Sequence, residues 1–347
     1  MKKIKWASAL LALMMLLNLL LTGCSRKEYV LIYTSVEGYV IEDMNDRLRE
    51  AFPDYDIVIE YVSTGNHAAK LLVEGANSEC DITYDLEYAY MEQLAQAGAL
   101  ADLSSYDTGI YMDDTVVSPH YLVQCRVGGA IILNTEVLQE KGLPEPTSYE
   151  DLLKPEYKNL VWVSNPNTAG TAKLIINTMV QLKGHDEAMK YFVELDKNIQ
   201  QYTKSGSGPS KKVGIGECVI GVGFLHDGIT QIVDNGYGNI ELVIPSSGTS
   251  YEIGATAIFE GCAHPNAAKL WIEFALSPEC VNLAQDNGSY QFLVIDNATQ
   301  PAVAAQFGLD PENVMDYDFE DAKNNIKTYV EEVMTALGGG DDRFKTE

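Results

Sequence analysis

One stretch of the sequence, SNPNTAGTAK at residues 164–173, gathers small polar residues immediately before an apolar, helix-like segment. Asn165, Thr168, Gly170 and Thr171 lie where the predicted helix begins. The first N–H groups of a helix have no partner within it, and the helix dipole adds positive potential there. Phosphate or carboxylate oxygens can therefore bind at such a turn, where Gly170 leaves room for them. The alternative is an ordinary turn and N-cap, for which the same residue types are favoured.

Small hydroxyl-bearing residues recur at three other predicted chain reversals. Thr34 and Ser35 follow the first predicted strand, Thr64 follows the second, and Ser205 and Ser207 lie in the turn SGSGPS. Neutral donors of this kind can surround an anion without many lysine or arginine side chains, which suits an acidic protein. For SGSGPS alone, a flexible loop is the alternative.

His226, Asp227 and Glu252 are candidates for contact with a different part of a ligand. A carboxylate accepts hydrogen bonds from ligand hydroxyl groups or from an ammonium group, and His226 and Asp227 close the predicted strand CVIGVGFLHDG. The alternatives are a structural turn for this pair and a solvated surface charge for Glu252. Arg126 is an isolated cation, for which a structural ion pair is favoured over a ligand contact.

The sequence contains none of the motifs that identify common catalytic or metal sites. There is no G-x-S-x-G, H-E-x-x-H, P-loop or G-x-G-x-x-G pattern and no cysteine cluster, and the five histidines are scattered. Nothing in the motifs therefore argues for an enzyme, a cofactor or a metal ion.

The predicted elements explain how these residues are positioned. Buried strand segments alternate with helices, as in YVLIYT followed by a helix in which Val40, Met44 and Leu48 are spaced by four. The pattern repeats at NLVWVSNPNTAGTAKLIINTMV. This alternation predicts a mostly parallel α/β sheet with ligand sites beyond the carboxyl ends of its strands. The length of 347 residues favours two domains.

The N-terminal residues predict export. Lys2, Lys3 and Lys5 precede an apolar run, and together they are typical of a secretory signal, which we place at residues 1–23. The following LTGC resembles the bacterial lipobox, so we expect lipidation of Cys24 and anchoring at the outer face of the cytoplasmic membrane or in the periplasm. Removal of the signal changes the net charge from −26 to −29, because the three lysines are its only charged residues. Such an acidic protein is not expected to bind nucleic acid.

Several segments together resemble one family. The lipobox, VLIYTS, NPNTAGTAKLIINTMVQLKG, GECVIGVGFLHDG and VIPSSGTSYEIGATAIFEGCAHPNAAKLWIEFALSPE are similar, in this order, to bacterial extracellular solute-binding proteins of ABC importers. The similar branch contains ferric-iron, thiamine, phosphonate and hexose-phosphate binders. The resemblance implies a two-lobed type II periplasmic-binding fold, with a mostly parallel sheet and flanking helices in each lobe and two crossing hinge strands. It implies residues 24–123 and 249–292 for lobe 1, and residues 124–248 and 293–347 for lobe 2.

The resemblance also implies a class of ligand. Ferric members end the corresponding strand in adjacent tyrosines, whereas this chain has Leu225, His226 and Asp227 there, which argues against iron. The HD pair, followed about 25 residues later by YE, is similar to the hexose-phosphate and organophosphonate members. By this resemblance His226, Asp227 and Glu252 hold the organic part of the ligand. The phosphoryl group is held by residues of the small polar turns, namely Thr34, Ser35, Thr64, Thr168, Gly170, Thr171, Ser205 and Ser207.

The function implied is capture of a small anionic solute, a sugar phosphate or an aminoalkylphosphonate, for an ABC permease and its ATPase. The protein is expected to be a lipid-anchored monomer without a catalytic step. Binding of ferric iron or thiamine is the alternative within the family. A ligand-sensing subunit of a membrane kinase and a secreted hydrolase are the alternatives from other classes.

Overall fold

The computed structural model describes most of the chain that follows the N-terminal segment. The residues described are 27–36, 38–107, 109–111, 115–266, 268–269, 272, 277, 286, 290–294, 304–307, 315–339 and 342–344. The predicted signal at residues 1–23 and the predicted lipidation site Cys24 lie outside the described residues, as does most of the helix predicted at PNAAKLWIEFAL.

Ten strands of the described residues form one sheet, in the order β2-β1-β3-β9-β4-β7-β5-β6, with β8 and β10 also paired to β4. Their bounds are β1 Glu28–Thr34, β2 Tyr55–Tyr61, β3 Ile82–Glu87, β4 Leu122–Asn134, β5 Val161–Ser164, β6 Ile199–Thr203, β7 Ile220–Phe224, β8 Ile240–Val243, β9 Tyr251–Ile258 and β10 Phe292–Leu293. Strands β1, β2 and β3 are parallel to one another, as are β5, β6 and β7, whereas β4 pairs antiparallel with all its neighbours.

The long strand β4 divides the molecule into two lobes. It pairs with β9 from Leu122 to Gly128 and with β7 from Gly129 onward. We call lobe 1 the sheet of β1, β2, β3, β9 and residues 122–128 of β4, and lobe 2 the sheet of β5 to β8 and the rest of β4, each with its helices. This arrangement confirms the predicted two-lobed α/β class. The boundary proposed at residues 123 and 124 stays a prediction.

Helices flank the sheet in both lobes. Their bounds are α1 Gly38–Ala51, α2 Thr64–Glu74, α3 Tyr88–Gln96, α4 Thr135–Lys141, α5 Gly170–Lys183, α6 His185–Asp196, α7 Ser210–Val213, α8 Leu225–Val233, α9 Ala304–Phe307 and α10 Phe319–Ala336. Short 3-10 turns lie at residues 75–77, 150–153, 155–157 and 342–344.

Apolar spacing explains how α1 packs on the sheet. Val40, Met44 and Leu48 are buried along one face of the helix and contact the apolar face of lobe 1. The helix ends at Ala51, two residues before Pro53, because proline has no N–H to continue the hydrogen-bond pattern. By contrast, residues 170–180 of α5 are all buried, so this helix lies at the centre of the molecule.

The C-terminal helix α10 contacts both lobes. Its Ile326 and Val333 belong to the main apolar core of lobe 2. Its Lys323 ammonium lies 3.3 Å from the Oε2 atom of Glu92 on α3, in lobe 1. The helix therefore joins the lobes in addition to β4. Among the described residues, no helix combines the length and the apolar character that a membrane span requires.

Candidate functional site

A cavity of about 110 Å³ lies between the lobes, where strands β1, β3, β5 and β7 end. Ten of the twelve predicted ligand residues line it: Ser35, Thr64, Thr168, Gly170, Thr171, Ser205, Ser207, His226, Asp227 and Glu252. Thr34 and Asn165 do not line it. The structure thus brings most of the predicted residues together, and their contact with a ligand stays a prediction.

Two of the lining hydroxyl groups are already hydrogen-bonded as donors within the protein. Ser35 Oγ donates to the carbonyl oxygen of Asp85 at 3.0 Å. Thr168 Oγ1 donates to the carbonyl oxygen of Lys204 at 2.8 Å. A hydroxyl group has only one proton to donate, so these two hydroxyl groups stabilise the turns of the cavity.

Four further threonine and serine hydroxyl groups of the lining are candidates to donate hydrogen bonds to a ligand. Among the described residues, the side chains of Thr64 and Thr171 donate to no protein group, although both line the cavity. The Oγ atoms of Ser205 and Ser207 lie 2.9 Å apart, so this contact uses one of their two protons. Thr64, Thr171 and this serine pair therefore have protons available to a ligand.

Thr34 and Asn165 have structural contacts instead. Thr34 Oγ1 accepts a hydrogen bond from the N–H of Val36 at 3.2 Å. Asn165 Oδ1 accepts from the N–H of Asn167 at 2.9 Å, and its Nδ2 donates to the carbonyl oxygen of Phe344 at 3.1 Å. Both side chains shape the turns that carry the lining residues.

Three helices begin at the cavity without a side-chain cap. The N-cap residues of α2, α5 and α8 are Ser63, Ala169 and Phe224, and none accepts a capping hydrogen bond through its side chain. The stretch 164–173 is therefore not an ordinary capped start, which was the alternative interpretation. The first turns of these helices provide positive potential at the cavity, although the N–H of Gly65 in α2 is already hydrogen-bonded to the carbonyl oxygen of Thr168.

His226 and Asp227 do not end a strand, contrary to the prediction. Strand β7 ends at Phe224, and both residues lie in the first turn of α8, because Phe224 is extended and Leu225 begins the apolar face of this helix. The imidazole ring of His226 stacks on Phe224 with 5.5 Å between ring centroids. Its Nε2 atom lies 3.7 Å from Oδ1 of Asp227.

Glu252 lies in β9 and is buried, so the surface-charge alternative is wrong. Its Oε1 atom accepts hydrogen bonds from the N–H groups of Tyr88, at 3.3 Å, and Ile253, at 2.9 Å. Tyr88 is the first residue of α3, so Glu252 compensates an unpaired N–H group of that helix.

Sequence reasoning missed two further carboxylates and a buried lysine. Asp85 and Glu87 line the cavity from the end of β3, and Lys173 lies one turn into α5. The ammonium group of Lys173 contacts the hydroxyl group of Tyr90 and lies 4.8 Å from the centroid of its ring. The available signal was the pair of acids two residues apart in ITYDLE, since such side chains share a face of a regular strand; in the structure an irregularity interrupts β3 between Thr83 and Leu86.

Burial changes the protonation of these groups. It raises the pKa of Asp85 to about 6. It also raises the pKa of Glu252, which repulsion from Glu87 raises further. Burial raises the pKa of Glu87, and the positive charge of nearby Lys173 partly opposes this rise. Burial lowers the pKa of Lys173. The carboxylates are thus costly to keep charged when nothing positive faces them.

The lobes touch beside the cavity through main-chain atoms. The N–H of Gly65, in α2, donates to the carbonyl oxygen of Thr168 at 3.2 Å. A Cβ atom on Gly65 would lie 2.5 Å from the carbonyl oxygen of Asn167. Glycine at position 65 is therefore required for this distance between the lobes.

A cavity between two such lobes, with hydrogen-bonding groups from both, defines a protein that binds a small molecule by closing around it. Within the described residues, no group of three or more His, Cys, Asp or Glu side chains is placed to hold a metal ion.

The chain belongs to the bacterial extracellular solute-binding protein family, whose model matches residues 43–306. It is 31% identical over 332 residues to an uncharacterized protein of Haemophilus influenzae, a match covering 90% of this chain and 93% of that protein. It is also similar to the periplasmic binding protein AfuA of Actinobacillus pleuropneumoniae, solved with exogenous fructose-6-phosphate bound. That similarity has a TM-score of 0.82 and 28% identity, and covers 90% of this chain and 99% of the other. The phosphoglycerate transport regulatory protein PgtC of Salmonella typhimurium is 23% identical over 197 residues, 55% of this chain and 47% of that protein.

The family establishes the general function. The protein is an extracellular or periplasmic solute-binding component of an ABC importer, with a small-molecule ligand and a membrane transporter as partners, and it is not an enzyme.

We predict that Gly65→Ala hinders closure. The added Cβ would meet a backbone oxygen, which cannot turn aside as a side chain can. Overpacking costs about 1–3 kcal/mol, so the affinity for a ligand found by thermal-shift screening of the wild type should fall roughly 5- to 150-fold. Gly38→Ala is the control, because nothing lies within 4 Å of its Cβ position at the start of α1. Equal affinities of Gly65→Ala and the wild type would contradict the prediction.

We predict that Asp85→Asn stabilises the protein at high pH only. A carboxyl group whose pKa is about 6 in the folded state holds its proton more tightly there than in the unfolded chain. The Asp85 carboxyl group therefore does not lower the free energy of unfolding below about pH 4, where it is protonated in both states. It lowers this free energy increasingly as the pH rises to about 6 and beyond, where the folded protein must hold it charged. Asparagine tolerates the φ of 53° at this position. Thermal unfolding should show a gain on the order of 1 kcal/mol at pH 7.5 and almost none at pH 4, with the exposed Asp46→Asn as control. A gain in stability that is larger at pH 4 than at pH 7.5 would contradict the raised pKa of Asp85.

Proposed function

We propose that the protein captures a small phosphorylated or phosphonate organic solute, a sugar phosphate or an aminoalkylphosphonate, for import. The observation that carries the proposal is the combination of three uncapped helix starts with hydroxyl donors around one interlobe cavity. Backbone N–H groups and hydroxyl groups suit phosphoryl oxygens, which accept several hydrogen bonds at once. The similarity to AfuA, solved with fructose-6-phosphate bound, supports the same class of ligand.

The two sides of the cavity suit the two parts of such a ligand. Hydroxyl donors of Thr64, Thr171 and the Ser205–Ser207 turn would hold the phosphoryl group. Asp227 and Glu252 would accept hydrogen bonds from the organic part. The other predicted members, Ser35, Thr168, Gly170 and His226, line the same cavity, whereas Thr34 and Asn165 would act by shaping its turns.

The remaining assignments are part of this proposal. They are the lipid anchor at Cys24, the monomeric state and the lobe boundaries given above.

Ferric iron is a weaker alternative ligand. Ferric members of the family have two adjacent tyrosines at the position where this chain has Leu225, His226 and Asp227.

A second candidate function is that of a ligand-sensing subunit, which the partial similarity to the phosphoglycerate transport regulatory protein favours. A permease and an ATPase encoded beside this gene would support import, whereas a histidine kinase would support sensing.

Isothermal titration calorimetry tests the ligand class. We expect binding of fructose 6-phosphate or 2-aminoethylphosphonate and little binding of ferric ion. Tight binding of ferric ion without heat from any phosphorylated compound would overturn the proposal.

Changing Thr64 and Thr171 together to Val tests the phosphoryl site. Each lost donor to a charged group costs about 1.5–3 kcal/mol, so the affinity should fall by a factor of roughly 100 or more. Thr335→Val, on the exposed surface of α10, is the control. An affinity of the double variant within twofold of the wild type would refute this placement of the phosphoryl group.

A further inference from the structure

Two side chains cross the boundary between the lobes in opposite directions. Glu87 ends β3 in lobe 1, and a Cβ atom on Gly170, the first residue of α5 in lobe 2, would overlap its Oε1 atom. Lys173 lies one turn further along α5, and its ammonium group contacts the hydroxyl group of Tyr90 in the first turn of α3 in lobe 1. Each lobe therefore extends a side chain to the beginning of a helix of the other lobe, an acidic one from lobe 1 and a basic one from lobe 2.

The charges around this crossing attract one another. The start of α5 carries positive potential, and the carboxyl group of Glu87 faces it. The ammonium group of Lys173 attracts the carboxyl groups of Glu87 and Glu252. It also lies 4.8 Å from the centroid of the electron-rich ring of Tyr90. Lys173 is buried, so water screens these attractions less than it would at the surface.

Opening of the cleft would separate these groups. A rotation of the lobes would draw the ammonium group of Lys173 away from Tyr90, and the carboxyl group of Glu87 away from the start of α5. Burial of charge costs free energy, and the attraction offsets this cost only while both charged partners are present. Loss of one partner would leave the other charged group unpaired in the closed cleft, which favours the open form.

We propose that Glu87 and Lys173 are positioning residues that form an interlobe lock, which favours the closed form already in the ligand-free protein. The lock holds the first turn of α5, and with it Thr171, opposite the wall of the cavity that carries Thr64. A binding-competent form that is populated before the ligand arrives raises the apparent affinity for it. The lock does not depend on the class of ligand.

The N–H group of Gly65 reports closure of the ligand-free protein. Gly65 is the second residue of α2, where the helix itself offers no acceptor, and its N–H donates across the cleft to the carbonyl oxygen of Thr168 at 3.2 Å. Hydrogen exchange at this N–H therefore measures separation of the lobes. Ile32 lies in β1, which pairs with β2 on one side and with β3 on the other, so its N–H reports the stability of lobe 1 instead.

Amide exchange of the ligand-free protein, followed by NMR at pH 7.5, tests the lock. In Lys173→Met the ratio of the exchange rate at Gly65 to that at Ile32 should rise roughly tenfold or more, because a charge left unpaired on closure is costly. Small-angle X-ray scattering should also give a larger radius of gyration. Lys190→Met, which removes an exposed lysine from α6 in the same lobe as Lys173, is the control and should leave both measurements unchanged.

A second variant tests the pairing of the two residues. Glu87→Gln keeps the shape of the side chain and removes its charge, so it should raise the same exchange ratio, whereas the exposed Glu79→Gln should not. The double variant Glu87→Gln/Lys173→Met should raise the ratio by less than the product of the two single effects, because the second change removes the group that the first left unpaired.

Three results would overturn the lock. The first is an exchange ratio that stays at the wild-type value in Glu87→Gln, a result that decides the question even if Lys173→Met does not fold. The second is equal acceleration at Gly65 and Ile32, which would show a loss of folding stability in place of an opening of the cleft. The third is a double variant whose effect equals the product of the single effects, which would show that the two residues act independently.

Discussion

The antiparallel pairing of β4 is the constraint on which the rest of the structure depends. One strand of 13 residues pairs with β9 up to Gly128 and with β7 beyond it. The carboxyl ends of the parallel strands of the two lobes therefore face each other across a single cleft. The change of partner needs a residue without a side chain, since a Cβ atom on Gly129 would lie 2.8 Å from Thr249 Oγ1 and 3.1 Å from the Tyr149 hydroxyl group.

The same constraint explains the small residues around the cavity. Gly65 meets the backbone of Asn167, Gly170 meets Glu87, and a Cβ atom on Gly206 would lie 2.2 Å from Thr171 Oγ1. These contacts join elements that are far apart in the sequence and close only in the folded molecule. The glycines thus allow the turns to lie close together around the cavity. A single substitution at one of them would change both the packing of the turns and the space inside the cavity.

The sequence predicted the architecture and ten residues of the cavity lining, but not the use of each side chain. Alternating strands and helices locate the turns, because ligand sites follow the carboxyl ends of parallel strands. Periodicity does not reveal that the carbonyl of Lys204 accepts the proton of Thr168, or that Phe344 accepts a hydrogen bond from Asn165. It also placed His226 on a strand, since a short apolar run before a helix start does not show where the strand ends. Glu87 was missed because its partner, Gly170, carries no chemical group that a motif could include.

The acidity of the chain bears on how the proposed ligand could be bound. With a net charge of −26, the whole protein repels small anions, so an anionic solute depends on local hydrogen-bond donors. Hydroxyl groups of Thr64, Thr171, Ser205 and Ser207 line the cavity, and so do the carboxyl groups of Asp85, Glu87, Asp227 and Glu252. A phosphorylated solute of the kind we propose would meet the hydroxyl groups with its phosphoryl oxygens and the carboxyl groups with the donors of its organic part. Inorganic phosphate has no organic part, so on this proposal it would make fewer hydrogen bonds in the same cavity, and the difference in hydrogen bonding would favour the larger solute.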